Sequence, residues 1–157
     1  MQFAELLQRF AAAVEALDGA ALADLFTPSG TYEDYFFGPS TGREAISRML
    51  AHFAEGGRNF QWEFYDPVVS GELGYASYRF SFDSTHAAAK GARVAFDGIA
   101  RFALADGRID RYSEVFDRGM ALAQQGFEPE RLRKIALKYA AALKAQPELG
   151  RHLKSPR

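Results

Sequence analysis

The chain has 157 residues, a net charge of −1 and no cysteine; 48% of its residues are hydrophobic, with 14 Phe, 7 Tyr and 1 Trp. This length predicts one domain with a substantial core. The charge balance gives no electrostatic case for nucleic acid or an anionic membrane, and the lack of cysteine excludes disulfides, thiolate zinc sites and a Cys nucleophile. No apolar run approaches the ~20 residues of a membrane span. The N-terminus has an early acid and no basic stretch, unlike a signal peptide, so a cytoplasmic protein is the expectation.

Phe3, Leu6, Leu7, Phe10, Val14 and Leu17 recur at helical spacing and predict an amphipathic helix ended by Asp18-Gly19. A short second helix follows, with Leu22, Leu25 and Phe26 inward, and residues 27–30, Thr-Pro-Ser-Gly, read as a turn. Residues 31–37 predict a strand with Tyr32, Asp34 and Phe36 on one face and Glu33, Tyr35 and Phe37 on the other. Gly38-Pro39-Ser40 breaks it. Thr41 and Glu44 fit a capping box for a third helix, with Ile46, Met49, Leu50 and Phe53 as its stripe and Gly56-Gly57 as its stop.

Strands come next. Phe60, Trp62 and Phe64 alternate with Gln61 and Glu63, and Asp66-Pro67 predicts a bend or bulge. A strand over 73–82 and a small-residue loop over 84–91 lead into a hairpin over 92–117, turned at Asp106-Gly107. Alternation on its second arm groups Asp110, Tyr112, Glu114 and Phe116 on one face, and Ile109, Arg111, Ser113 and Val115 on the other. A short helix over 120–125 is followed by a last helix opened by Pro129, with Leu132, Ile135, Ala136, Tyr139 and Leu143 as its stripe. Residues 147–157 read as a frayed tail. Helices segregated from four antiparallel strands predict an α+β fold, in which a curved antiparallel sheet over the N-terminal helices leaves a cone with an apolar mouth.

This element order, with Tyr-Glu-Asp at 32–34 followed by Gly-Pro-Ser-Thr-Gly-Arg-Glu-Ala-Ile at 38–46, resembles the nuclear transport factor 2-like superfamily. The runs Phe-Asp-Gly-Ile-Ala-Arg-Phe-Ala-Leu-Ala-Asp-Gly-Arg-Ile at 96–109 and Tyr-Ser-Glu-Val-Phe-Asp at 112–117 are most similar to its SnoaL-like polyketide cyclase branch. The resemblance implies a cystatin-like half-barrel. It covers residues 3–127 of a single domain over 1–157, leaving an appended helix at 128–146. Since this fold hosts isomerases, cyclases, epoxide hydrolases, dehydratases and pure binders, residues must decide the activity.

By that resemblance Asp34 falls at the general-base position of ketosteroid isomerases. Their helix-one tyrosine has only Phe10 and Ala13 near it here, and their second aspartate falls at Gly98, with Asp97 on the opposite face. Limonene-epoxide hydrolases would place water-holding groups at Tyr32 and Asp34 and an acid–Arg–acid triad at Ser81, Arg79 and Glu114. SnoaL-like cyclases would make Glu114 the base that removes a proton beside a carbonyl. The candidate catalytic residues are therefore Asp34, Glu114 and Tyr32; the candidate ligand contacts are Trp62, Tyr112, Phe116, Phe53 and Arg79.

Elementary chemistry supports a carboxylate among aromatics as a base of raised pKa, with Tyr32 and Tyr112 as donors to a developing oxyanion. The structural alternatives stay open: Asp34 terminating its strand, Glu114 paired with Arg79 or Arg101, and Arg79 pointing outward opposite Tyr78 and Phe80. No His/Asp/Glu spacing suggests a metal, and no cofactor is expected. The expectation is cofactor-free proton transfer on a small hydrophobic molecule, or a binding or subunit-interaction module without turnover. A homodimer through the outer sheet face, with Ile109 and Val115 on it, completes the expectation.

Overall fold

A computed structural model describes residues 2–155; Met1 and the last two residues of the predicted tail, Pro156 and Arg157, lie outside them. Three helices, α1 (Phe3–Glu15), α2 (Gly19–Asp24) and α3 (Arg43–Gly56), pack on the concave side of one curved, unclosed sheet. Its strands are β1 (Phe26–Asp34), β2 (Gly38–Thr41), β3 (Gly57–Ser70), β4 (Leu73–Ser84), β5 (Arg93–Ala105) and β6 (Arg108–Phe116), in the order β2-β1-β6-β5-β4-β3. Helices α4 (Arg118–Gln124) and α5 (Pro129–Lys144) follow, and a 3₁₀ segment spans Pro147–Leu153. The fold is the predicted α+β cone. No helix of the described residues is long and apolar enough to cross a membrane.

The α1 stripe buries Leu6, Leu7, Phe10 and Val14, each no more than 4% exposed. Phe10 sits at the centre of the core, with its ring against Tyr32, Trp62, Phe64, Phe102 and Tyr112 at 4.9–6.0 Å between centroids. This cluster welds α1 to β1, β3, β5 and β6 at once. Fully burying each such ring contributes about 1.5–3 kcal/mol.

The structure corrects several local expectations. The sheet is not wholly antiparallel, because β1 runs parallel to β6, with Tyr32 opposite Tyr112. Residues 27–30 belong to β1 rather than to a turn; the register shift between Phe26 and Thr31 absorbs the Pro and Gly there. Residues 38–41 form a strand, β2, rather than a break. Thr41 does not cap α3. Its hydroxyl is hydrogen-bonded to that of Thr31 at 3.0 Å, Gly42 holds the N-cap position without a side-chain cap, and Glu44 pairs with Arg48.

At the hairpin, Ala105 faces Arg108 across the two-residue turn, with φ of 50° at Asp106 and 72° at Gly107. Positive φ at both centres is the mirror-image turn that matches strand twist. The predicted alternation then fails for two residues, Ile109 and Asp110. Ala103 pairs with Arg111 but Leu104 with Ile109, so Asp110 is an extra residue in a β-bulge. Ile109 therefore turns inward and is 0% exposed, not part of an outer face, while Asp110 turns out to accept a hydrogen bond from Thr27 Oγ1 at 3.0 Å. The Ile109 N–H donates to the Leu25 carbonyl at 2.8 Å, which fixes the bulge. From Tyr112 onward the predicted faces hold. The Asp66-Pro67 irregularity is also present, as a register shift between Tyr65 and Val68.

Strand β6 ends at Phe116, opposite Gly98, and leaves the first residues of β5 without a strand on that side, although β4 pairs with them on the other. Gln124 of α4 takes its place: its Oε1 accepts from the Ala95 N–H and its Nε2 donates to the Ala95 carbonyl, both at 2.9 Å. One side-chain amide thus continues the ladder and covers an edge. Helix α5 has no buried residue, and its Tyr139 meets the body through Arg118 and through its hydroxyl, which donates to the Phe36 carbonyl at 3.5 Å. That guanidinium lies 3.8 Å from the Tyr35 ring centroid and 3.5 Å from that of Tyr139, and donates to the Tyr35 carbonyl at 2.9 Å. The 3₁₀ segment at 147–153 replaces the predicted fray over those residues. Arg118→Ala removes both cation–π contacts, so it is expected to lower stability by about 1–2 kcal/mol and to raise hydrogen exchange in α5 before the rest of the chain; denaturant melts with exchange mass spectrometry check this.

Candidate active site

The geometry of the site follows from the parallel β1–β6 pair. With Tyr32 opposite Tyr112, the residues two further along each strand, Asp34 and Glu114, project on the same face. Asp34 is 6% and Glu114 8% exposed, the only carboxyl groups among the buried described residues. Both line a cavity of about 120 Å³ between the sheet and α3. Its wall is mainly aromatic and includes Phe36, Phe60, Trp62, Phe80, Phe96 and Phe116. Phe37, 76% exposed, the exposed His52 and the half-buried Phe53 mark its mouth.

Glu114 is held by its own strand: Tyr112 Oη donates to Glu114 Oε2 at 2.7 Å. Tyr78 Oη lies near the same carboxyl without hydrogen-bond geometry. Burial, and then the Asp34 charge, push the Glu114 pKa up from its ordinary 4.5 to about 7, against the opposing pull of the Tyr112 and Tyr78 hydroxyls. Asp34 also rises through burial, but its Oδ1 accepts the N–H groups of Phe36 and Phe37 at 2.8 and 2.9 Å, which favour its charged form. The two carboxyls are thus different tools. Asp34 is anchored by the amides of the turn it closes after β1; Glu114 is a group that exchanges a proton near neutrality.

Three buried polar atoms have no hydrogen-bond partner among the described residues: Tyr32 Oη, Tyr78 Oη and Trp62 Nε1. Tyr32 and Trp62 both line the cavity. Leaving such a donor unpaired costs about 1–3 kcal/mol. Buried groups of this kind call for a water or a ligand. Burial pushes the Tyr32, Tyr78 and Tyr112 hydroxyls above their ordinary value, so they stay protonated and able to donate.

Of the residues singled out from the sequence, Tyr32, Asp34, Glu114, Trp62, Phe53 and Phe116 surround this cavity. Tyr112 stands directly behind, 0% exposed, with its ring 4.5 Å from that of Tyr32. Arg79 is not a ligand contact of the cavity. It lies on the outer sheet face, paired with Glu63 at 3.1 Å and stacked 4.2 Å from the Tyr65 centroid, because β4 alternation turns Tyr78, Phe80 and Phe82 inward. Tyr78, a buried neighbour of Glu114, is absent from the residues that the sequence pointed to. Its signal was Gly98, directly opposite in the β4–β5 register. A Cβ at position 98 would stand 2.7 Å from Tyr78 Oη and 2.5 Å from the Val115 carbonyl, so only glycine lets the phenol in. No group of His, Asp and Glu suited to a metal occurs among the described residues.

Residues 7–112 match the SnoaL-like domain family model. No curated protein matches the sequence. Among solved structures, a ketosteroid isomerase-fold protein from Catenulispora acidiphila, in complex with trimethylamine, is similar at 23% identity with a TM-score of 0.72, over 80% of this chain and 95% of that one. A polyketide cyclase candidate from Xanthomonas campestris pv. campestris aligns at 18% identity and a TM-score of 0.63, over 78% of this chain and 95% of that one. An epoxide hydrolase of M. tuberculosis aligns at 16% identity and a TM-score of 0.59, over 88% of this chain and 92% of that one. At these identities the likeness is one of fold.

The raised Glu114 pKa sets a pH dependence of stability. Below pH 4.5 the group is protonated both folded and unfolded; between 4.5 and about 7 the folded chain keeps the proton that the unfolded chain has lost. Its contribution is therefore present at low pH and is lost as pH rises through about 7, a change of about 3 kcal/mol. Glu114→Gln keeps an acceptor for Tyr112 and removes this titration. The variant is expected to match the wild type at pH about 4 and to exceed it at pH about 8. Paired melting curves across that range check this. Tyr112→Phe removes a group that favours the carboxylate and should move the Glu114 titration above that of the wild type, read from the carboxyl infrared band.

Proposed function

The chain belongs to the SnoaL-like domain family, and from that premise we propose cofactor-free proton transfer on a small hydrophobic molecule bearing a carbonyl, with Glu114 as the base. The observation that carries this reading is a single one: a carboxyl poised at about 7 in an aromatic wall, beside hydroxyl and indole donors that lack partners. A base titrating near ambient pH combines availability with proton affinity. Tyr32 Oη and Trp62 Nε1 supply hydrogen bonds to the oxygen on which charge develops. Asp34, with Oδ1 committed to the turn, holds the loop and keeps the Glu114 pKa high. A cavity of about 120 Å³ suits a ligand of about one ring, since an engineered apolar cavity of about 150 Å³ admits benzene.

The reaction this supports is removal of a proton beside the carbonyl by Glu114, with the enolate oxygen met by the Tyr32 and Trp62 donors. The same carboxylic acid then returns the proton to carbon, either at the original or at a conjugated position. We further propose that two copies pair through the outer sheet face, where Ile99 and Val115 are 51% and 55% exposed; Val115→Lys should then halve the mass seen by light scattering.

Deuterium exchange tests the catalytic reading. Small cyclic ketones incubated with the protein in D₂O should lose α-protons at a rate that rises with pH and levels above about 7. Glu114→Gln should reduce that rate by about 10²–10⁴, and Tyr32→Phe should reduce it less. Ligand binding with no exchange in the wild type would identify a binding module without turnover.

A further inference from the structure

We propose that the cavity selects a small cationic ligand, a tertiary or quaternary ammonium compound, over an uncharged molecule of the same shape. The inference names the ligand class of the site just described and rests on the reading of that cavity as a binding site, though not on turnover.

The first observation is charge. The cavity holds two buried carboxyl groups, Asp34 and Glu114, and no Lys or Arg is among its lining residues. None of the ion pairs of the described residues includes either carboxyl. Arg79 and Arg111, two cations of the neighbouring strands, are committed to Glu63 and Glu33 on the outer face. Arg118, the cation packed against the loop after β1, is held between Tyr35 and Tyr139. A buried carboxylate is normally paired, and this site lacks its countercharge.

The second observation is the wall. Rings from β3, β4, β5 and β6 surround the cavity, including Trp62, Phe80, Phe96 and Phe116. Aromatic walls attract alkylammonium groups through the ring quadrupole while excluding the water that a bare inorganic cation would demand. The third is the orphaned Tyr32 hydroxyl, 0% exposed and lining the space. Its oxygen also has free lone pairs, so it can accept from an N–H of a tertiary ammonium ion.

Occupation by a cation must be linked to the proton on Glu114. The groups facing that carboxyl are Asp34 and Tyr32 from β1, Tyr112 from its own strand and Tyr78 from β4, with His52 of α3 at the mouth. None of the β-strand groups is basic, so an incoming cation adds positive charge that the strands around Glu114 do not supply. Binding should therefore draw Glu114 towards its ionised form and release a proton below pH about 7.

Choline and its uncharged carbon isostere, 3,3-dimethylbutan-1-ol, make the test. Trp62, the one tryptophan of the chain, reports occupancy by its fluorescence. Choline is expected to bind saturably, about tenfold or more tighter than the alcohol, with an affinity that rises as pH passes upward through 7 and with proton release in calorimetry at lower pH. Asp34→Asn retains an acceptor for the Phe36 and Phe37 N–H groups and should erase most of the preference. Glu114→Gln should retain part of it and lose the pH dependence. Equal affinity for the two compounds, or binding of the alcohol alone, overturns the cationic assignment and leaves the ketone-exchange reading to its own assay. Failure of both compounds to perturb Trp62 overturns it as well. Ketone exchange that fails while choline binds selectively would instead retire proton transfer and keep the ammonium site.

Discussion

The site depends on one backbone pairing, the parallel contact of β1 with β6 at Tyr32 and Tyr112. Strands that run the same way, at the ~4.8 Å spacing of a sheet, put residues two further along onto the same face as neighbours. Here those residues are Asp34 and Glu114, like-charged groups that would otherwise repel into solvent. Main-chain hydrogen bonds and the Phe10–Tyr32–Tyr112 ring stack hold the strands regardless. The electrostatic cost is met by a proton: the pair is most easily buried when Glu114 keeps one.

That arrangement explains the uneven roles of the two acids. Asp34 ends β1, and its Oδ1 serves the N–H groups of the turn that follows. Glu114 sits in mid-face on a strand, between Tyr112 and Phe116, with one hydroxyl donor in good geometry. Two backbone donors draw Asp34 towards its charged form; Glu114 is raised by burial and then by the Asp34 charge, against the pull of the Tyr112 and Tyr78 hydroxyls. The aromatic shell is what makes this difference matter, since in a wet site both acids would be screened and ionised at neutral pH.

Helix α5 lies outside the family match of 7–112 yet communicates with the cavity. Tyr139 stacks on Arg118, Arg118 stacks on Tyr35, and Tyr35 begins the loop whose amides bind Asp34. Phe36 and Phe37 of that loop line the cavity. The appended helix is thus tied to the turn that positions one of the two acids.

By itself the sequence determined the elements and the sides of most strands. Periods of 3.6 and 2 mark α1, α3 and β3 to β6, because burying one face of each is a local requirement written in neighbouring residues. Asp106-Gly107 specified its turn through backbone φ alone. A carboxylate between aromatics at Glu114, and another at Asp34, were likewise visible as alternation. What only the tertiary structure decided depends on partners distant in the chain. The parallel β1–β6 register brings the two acids together across some eighty residues of sequence. The bulge at Asp110 reverses Ile109 because the Leu25 carbonyl takes its N–H. Arg79 is given to Glu63 and the outer face by the β3–β4 pairing, and the Tyr78 hydroxyl has room beside the ladder only because Gly98 stands across it. Local pattern says which way a side chain points; which other side chain it meets there is settled by strand order and register, and those are properties of the whole chain.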